Sequence, residues 1–373
     1  MPSEYVGTLG VMVCRRTGSP PFAEREYVRE LCLASSKLGL SVYAFIPELK
    51  PSDPDATGGK VTGYTYRQGR WETGRFPVPD MIYDRCLLRN AKEKTAAGMA
   101  LQSLGRRAFL WSRGLPGKAR VYSLLKREAS LLPHLPHTLA YTGRECLKRA
   151  LSRFGGELFM KPSGGSHGSH TLYVRVSGET ALIQGRDRDN SIFKLTLPVG
   201  ELASWIERFT GSRRFLIQPF LQLTSREGKP FDVRVLVQKN AKGRWMTTGM
   251  ALRQGPAEGK TSNLHGGGKA VPVLPFLATQ FGSPASAEIL ACLERLSRLV
   301  PPLLESGFGR LGELGIDFGV DRDGKVWLLE VNSKPGRRAF RQTGDILAAK
   351  LSVENPLRYA RYLLLRQLRR VNT

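Results

Sequence analysis

An α/β N-terminal domain followed by a two-subdomain α+β unit is the architecture this sequence predicts, and three observations predict it. The chain opens with a strand, a helix and a second strand. In its middle, a short apolar strand runs through a lysine into a glycine-rich loop. Late in the chain, a hairpin carries two carboxylates and an amide on one face. The 373 residues leave room for two to three packed units. An apolar content of 41% supports a real core.

The first domain is expected to span residues 1–115. Residues 7–14 read as its first strand, and residues 24–38 have helical periodicity that stops at Gly39, a natural C-cap. Residues 41–46 form a second strand, so the opening β-α-β predicts parallel pairing and a right-handed crossover. Residues 50–60 are rich in Pro, Asp and Gly and read as a loop. A hairpin over 61–73 and a short strand over 81–83 follow, the latter leading into Asp84 and Arg85. The domain is expected to end near the Gly and Pro residues of 113–117.

A central subdomain is expected over 116–215. Its elements are a helix from Lys118 to Ser130, a helix over 142–154 capped by Thr142 with Glu145 three residues on, the lysine strand, an antiparallel sheet completed over 181–197, and a helix over 198–209. The remainder, 216–373, reads as a larger α+β unit. Its best helix covers 286–304, with Ile289, Leu290, Leu293, Leu296 and Leu299 near helical spacing. The basic stretch 356–370 reads as a terminal helix packed by Leu357, Ala360, Leu364 and Leu368.

Four segments carry candidate chemistry. The strand ending in Lys161 enters Pro162, Ser163, Gly164, Gly165, Ser166, His167 and Gly168. Glycines let backbone N–H groups approach phosphate oxygens, and the lysine adds a point charge. An apolar strand broken by Pro219 carries Gln218 ahead of Phe220 and Leu221, a hinge able to receive an adenine ring. Asp232 and Arg234 share one face of a strand, Arg253 ends the next, and Asn263 opens a second glycine-rich loop. Arginine forks suit phosphoryl and carboxylate oxygens. Last comes the hairpin. Asp317 lies on one arm, Glu330 and Asn332 lie on the other at period two, and an Asp-Gly turn joins them. Two carboxylates and an amide oxygen on one face suit Mg²⁺, which keeps waters and completes its shell with phosphates.

Bulk properties narrow the class. Fifty-seven Lys and Arg stand against 32 Asp and Glu, a net charge of +25. Such a field attracts polyanions, whether acidic proteins, acidic glycopolymers or ATP. No aromatic-interleaved or helix-turn-helix pattern accompanies the basic clusters, so a specific nucleic-acid function is not expected. No apolar run is long enough to span a membrane. The first residues lack the pattern of a secretion signal, so the cytoplasm is the expected location. The five cysteines form no C-x-x-C pair, and reduced thiols are expected.

In combination these segments resemble the ATP-grasp superfamily and, more narrowly, the YheC/YheD family of endospore coat-associated ATP-grasp proteins. The narrower resemblance rests on Asp80, Tyr83, Asp84 and Arg85; Leu135, Pro136 and Thr138; Asp232, Arg234 and Gln238; and Gly312, Glu313 and Asp317 through Asn332, Lys334 and Pro335. It covers roughly residues 8–365. It implies that Asp317, Glu330 and Asn332 hold Mg²⁺, that Lys118 and Lys161 neutralise ATP phosphates, and that 163–168 closes as a lid. Gln218 and the backbone near Phe220 and Leu221 then select adenine. Arg253 and Asn263 stabilise an acyl phosphate, Asp232 and Arg234 orient that site, and Asp84 and Arg85 bind the acceptor. The implied activity is an ATP- and Mg²⁺-dependent carboxylate–amine ligase acting on an acidic acceptor, with the spore coat as a second location. An ATP-grasp kinase and a nucleotide-binding coat protein without turnover are the alternatives. One departure stands out: Ser169 and His170 follow Gly168 where a Gly-x-Gly ending is expected of the lid.

Overall fold

The structure, a computed structural model, describes residues 4–48, 60–164, 169–255 and 268–371, with side chains to 368. The first domain contains β1 (Gly7–Met12), α1 (Arg25–Ser35), β2 (Leu40–Phe45), β3 (Lys60–Arg67), β4 (Arg70–Pro77), β5 (Met81–Asp84), α2 (Ala91–Leu104) and β6 (Phe109–Leu110). Its sheet runs β4-β3-β2-β1-β5-β6. β1 pairs parallel with β2 and β5, and β5 with β6, as the β-α-β opening predicts. α1 winds down through a 3-10 turn to Gly39, whose left-handed φ of 66° lets its amide return to the Ser36 carbonyl.

Next come α3 (Lys118–Leu125), β7 (Leu139–Ala140), α4 (Arg144–Arg153), β8 (Glu157–Pro162), β9 (Thr171–Ser177), β10 (Thr180–Arg186), β11 (Ile192–Pro198), α5 (Val199–Thr210) and β12 (Phe215–Pro219). The strands form an antiparallel sheet, β11-β10-β9-β8-β12-β7. Two helix boundaries differ from expectation. α3 stops at Leu125, and a 3-10 turn over Ala129–His134 holds Pro133. α4 starts at Arg144 with Gly143 as its N-cap at φ 116°, and no side chain caps it. Thr142 is thus one position too early to do so.

The last unit contains β13 (Phe231–Lys239), β14 (Trp245–Gln254), β15 (Lys269–Val271), α6 (Val273–Phe281), α7 (Ser283–Phe308), β16 (Glu313–Val320), β17 (Val326–Asn332), α8 (Arg338–Gln342) and α9 (Ile346–Val371). Its antiparallel sheet runs β15-β14-β13-β16-β17. α7 buries Ile289, Leu293, Leu296, Val300 and Leu304 against it.

The cores do not respect the expected chain divisions. β12 straddles residue 215, and its Phe215 and Ile217 sit in the core of the second sheet. Val121, Leu125, Leu131 and Leu135 pack instead into the core of the third sheet. α9 folds back on the first domain, where Leu357, Ala360 and Leu364 join Leu9, Val11 and Val28. The Trp111 indole donates to the Pro356 carbonyl at 3.0 Å. Leu368, expected on the packed face, is half exposed.

A buried polar cluster joins the first and third sheets. Glu313, fully buried, accepts from Tyr83 at 2.5 Å, Arg85 at 3.0 Å, Gln238 at 2.9 Å and Arg337. Arg85 also forks onto Glu24 and donates to the Pro335 carbonyl. Several residues of the narrower resemblance thus serve to clamp one domain to another.

Candidate functional site

The late hairpin is built by its turn. Asp321 accepts from the amides of Asp323 and Lys325 and from the Trp327 indole, while Gly324 takes φ 80°, a conformation costly for a side chain. The resulting register sets Asp317 directly opposite Glu330, and Gly315 opposite Asn332. Opposed residues share a face, and Asn332 lies two beyond Glu330, so all three ligand candidates face the same way. The Asn332 amide nitrogen lies 3.5 Å from Asp317 Oδ2.

The neighbouring strands add an alternating charge row. Arg253 forks onto Asp232 at 2.6 and 2.7 Å and reaches Asp317 at 3.2 Å. Arg234 forks onto Asp317. Sequence spacing had grouped Asp232 with Arg234. The antiparallel register opposes Asp232 to Arg253 and Arg234 to Asp317, so the ion pairs run across strands. Burial works to raise the Asp317 carboxyl, but Arg234 and Arg253 outweigh it and hold it below the usual range.

The second sheet brings Lys161 to this face, and α3, packed on the third sheet, brings Lys118. Lys161, near the end of β8, donates to the Leu329 carbonyl at 3.3 Å. Lys118, first residue of α3, stands 3.5 Å from Glu330, and its amide donates to Ser163. The Lys161 ammonium is pushed down to about 8 by burial and by Lys118, against the pull of Glu330 and Asp317. Lys161→Met should therefore stabilise the ligand-free protein at pH 7, because it removes a charge that is costly to bury. The folded pKa is depressed, so between about 8 and the ordinary 10.5 the unfolded chain holds more protons and wild-type stability rises with pH. The advantage of the methionine variant should shrink across that window in denaturant titrations, and a constant difference would contradict it.

The other candidates are distributed as follows. Gly165, Ser166, Gly168 and Asn263 lie outside the described residues. The Gln218 amide donates to Thr138 at 2.7 Å, and Phe220 packs on Tyr173 at 4.4 Å between ring centroids. The chain leaves strand geometry after Pro219, so Phe220 and Leu221 lie in an irregular segment. His170 is buried. Its ring packs on Phe209 and Phe215, and Nε2 lies 2.9 Å from the Phe209 carbonyl. Burial lowers its pKa, which favours the neutral ring. The departure from a glycine ending thus anchors the end of the loop in the core.

Arg85 does not fit acceptor binding. Its side chain is buried between Glu24 and Glu313 and over the Tyr27 and Tyr83 rings. Asp84 is half-buried and pairs with Lys334 at 2.7 Å. Lys334, two residues past Asn332, carries the narrower resemblance but has no role assigned from the sequence.

The donor set fits a hard cation. Its atoms are carboxylate and amide oxygens in register on one face, beside lysines suited to phosphate. Among the described residues no group of three His, Cys, Asp or Glu gathers. Two carboxylates are fewer than an all-protein cage needs, which suits a cation that keeps waters and phosphate oxygens. The ion pairs of Asp317 with Arg234 and of Glu330 with Lys118 would have to yield to it.

The YheC/D-like ATP-grasp family model matches residues 108–363. The chain belongs to this family. Endospore coat-associated protein YheC of Bacillus subtilis (strain 168) is 27% identical over 367 residues, covering 96% of this chain and 97% of that protein. Endospore coat-associated protein YheD of the same strain is 28% identical over 316 residues, covering 82% and 67%. Among solved structures, D-cycloserine synthetase DcsG superposes with a TM-score of 0.56 at 12% identity, covering 96% of this chain and 99% of that one. The ADP complex of N5-carboxyaminoimidazole ribonucleotide synthetase PurK gives 0.54 at 11%, covering 95% and 78%. These structural likenesses establish the ATP-grasp fold of the chain. Lys118 and Lys161 reach the last hairpin at Glu330 and at the Leu329 carbonyl, beside Asp317 and Asn332.

Proposed function

We propose that this ATP-grasp protein is an ATP- and Mg²⁺-dependent ligase that joins a carboxylate to an amine through an acyl phosphate. One observation carries the reading: Lys161 of the second sheet and Lys118 at the start of α3 meet the hairpin face that bears Asp317, Glu330 and Asn332. In this reading Asp317, Glu330 and Asn332 hold Mg²⁺, which would neutralise charge on the β- and γ-phosphates. Lys118 and Lys161 bind the α- and β-phosphates, and the segment 163–168 closes over them. The backbone at Phe220 and Leu221 takes adenine, with Gln218 positioned through Thr138. Positioning and charge stabilisation account for most of phosphoryl transfer, which suits a site rich in fixed cations.

The chemistry balances as follows. An acceptor carboxylate oxygen attacks the γ-phosphorus, the bond to the β-phosphate oxygen breaks, and ADP leaves. An amine then attacks the acyl carbon, loses a proton, and expels phosphate. Arg253, held rigid by Asp232, stabilises the transferring group, and Asn263 assists. The Asp84–Lys334 pair is the acceptor-side candidate. It joins the end of β5 to the segment just past Asn332. The basic surface favours an acidic acceptor. The names of the relatives support a place in spore formation, with synthesis in the cytoplasm and association with the coat.

The test is to incubate the protein with Mg-ATP and a panel of carboxylates and amines. A ligase releases ADP and phosphate and yields a product heavier by the amine. Phosphate retained on the product would make it a kinase. Nucleotide-dependent thermal stabilisation with no ADP from any pair would favour a binding protein without turnover.

A further inference from the structure

We propose that Cys14 and Cys86 are a modification site: a thiol pair that closes to a reversible disulfide when the protein meets a hydroperoxide. The inference does not rest on the ligase reading. Cys14 stands two residues past β1, and Cys86 two past β5. These strands pair in parallel with Met12 opposite Asp84, and the Arg85 amide donates to the Met12 carbonyl at 2.9 Å. Continuing that register sets Cys14 opposite Cys86. Neighbouring strands lie roughly 4.8 Å apart, within the roughly 4.4–6.8 Å that a disulfide spans between Cα atoms. The two side chains also point the same way. Both belong to the apolar cluster with Met12, Ile82 and Ala97.

The other cysteines have different engagements. Cys32 donates to the Val42 carbonyl, Cys146 donates to the Ala140 carbonyl, and Cys292 accepts from Arg295. The neighbouring Cys86 and Arg16 lower the Cys14 thiol against burial and Glu93, while Cys14 and burial raise the Cys86 thiol. On the Arg16 side of the pair, Cys14 is assigned the attack and Cys86 the resolution. Both residues are about 2% exposed, so oxidant must enter by local opening. The cover is suited to that. It is the stretch 87–90, without helix or strand, and the part-exposed Arg16–Glu93 pair.

The steps balance. The Cys14 thiolate attacks one peroxide oxygen, the O–O bond breaks, and alcohol (water, for hydrogen peroxide) leaves a sulfenic acid. The Cys86 sulfur attacks that sulfur, the S–S bond forms, and water leaves. Two electrons pass from the sulfurs to the peroxide, and the thiol protons end in the alcohol and the water. The position matters because the Cys86 carbonyl accepts from Lys334 at 2.9 Å and its amide donates to Asp84 at 2.8 Å.

The test uses the reduced full chain, titrated with hydrogen peroxide under native conditions and followed by non-reducing peptide mapping and thiol titration. The expected result is loss of two of the five titratable thiols, a dominant Cys14–Cys86 linked peptide, and full recovery with dithiothreitol. Cys14→Ser and Cys86→Ser should each lose the linked peptide, whereas Cys292→Ser should keep it. If a serine variant fails to fold, the wild-type map alone decides. Oxidation confined to Cys292, or separate sulfinic acids at Cys14 and Cys86 without a link, overturns the proposal.

Discussion

Replacing Glu330 with glutamine is expected to stop Mg²⁺-dependent ADP release while leaving the fold intact. Glu330 is the less committed of the two hairpin carboxylates. Asp317 is gripped by two arginines, whereas Glu330 meets Lys118 at 3.5 Å and its side chain is 25% exposed. Glutamine keeps the shape and removes the charge, so packing should survive. A metal that neutralises phosphoryl charge contributes several kcal/mol. The expected loss of turnover is then on the order of 10²–10³-fold. A second readout is independent of acceptor and turnover. Stabilisation by ADP should depend on Mg²⁺ in the wild type and lose that dependence in the variant. An unchanged Mg²⁺ titration would remove Glu330 from the metal site. Asp317→Asn is the less informative change, because it also loosens Arg234 and Arg253.

The largest loss of stability is expected from Glu313→Ala. The carboxylate is fully buried and faces the guanidiniums of Arg85 and Arg337, the Tyr83 hydroxyl and the Gln238 amide. Removing one partner of a buried ion pair leaves uncompensated charge, at a cost of about 3–5 kcal/mol. Arg337 is left without its carboxylate while Arg85 keeps Glu24, which argues for the middle of that range. Denaturant unfolding followed by Trp111, whose ring lies 4.4 Å from that of Tyr83, would read the change. A loss below about 1 kcal/mol would mean that the cluster does not hold the first domain to the third sheet. Replacing Glu313, Arg85 and Arg337 together by apolar residues of similar volume is the informative control. Such swaps are often neutral, so recovered stability would show that the ions specify the interface more than they strengthen it.

What could be read from the sequence was local. The hairpin is a case in point: period-two spacing and an Asp-Gly turn suffice to put Glu330 and Asn332 on one face, and antiparallel pairing adds Asp317. Gly39 and the opening β-α-β were legible for the same reason. Errors arose where a single neighbour overrode a propensity. Gly143 displaced Thr142 as a cap, and the turn holding Pro133 lay beyond an early helix end. The site was hardest to read where distant segments choose partners. Nothing near Asp232 says that it will meet Arg253 across strands, or that Gln218 will meet Thr138. Arg85 has the composition of a ligand-binding residue, yet Glu24 and Glu313 lie far from it in the chain and claim it. Lys334 carries the resemblance but no role in the sequence, because its partner, Asp84, lies far away in the chain.

The packing of α9 into the first domain bears on the order in which this protein acquires its structure during synthesis. Leu9, Val11 and Val28 emerge from the ribosome well before Leu357, Ala360 and Leu364, which complete their core. The first domain therefore keeps that core unfinished, with α1 alone on this part of its sheet, until α9 has been made. Its maturation is set by the appearance of α9 rather than by that of its first strands.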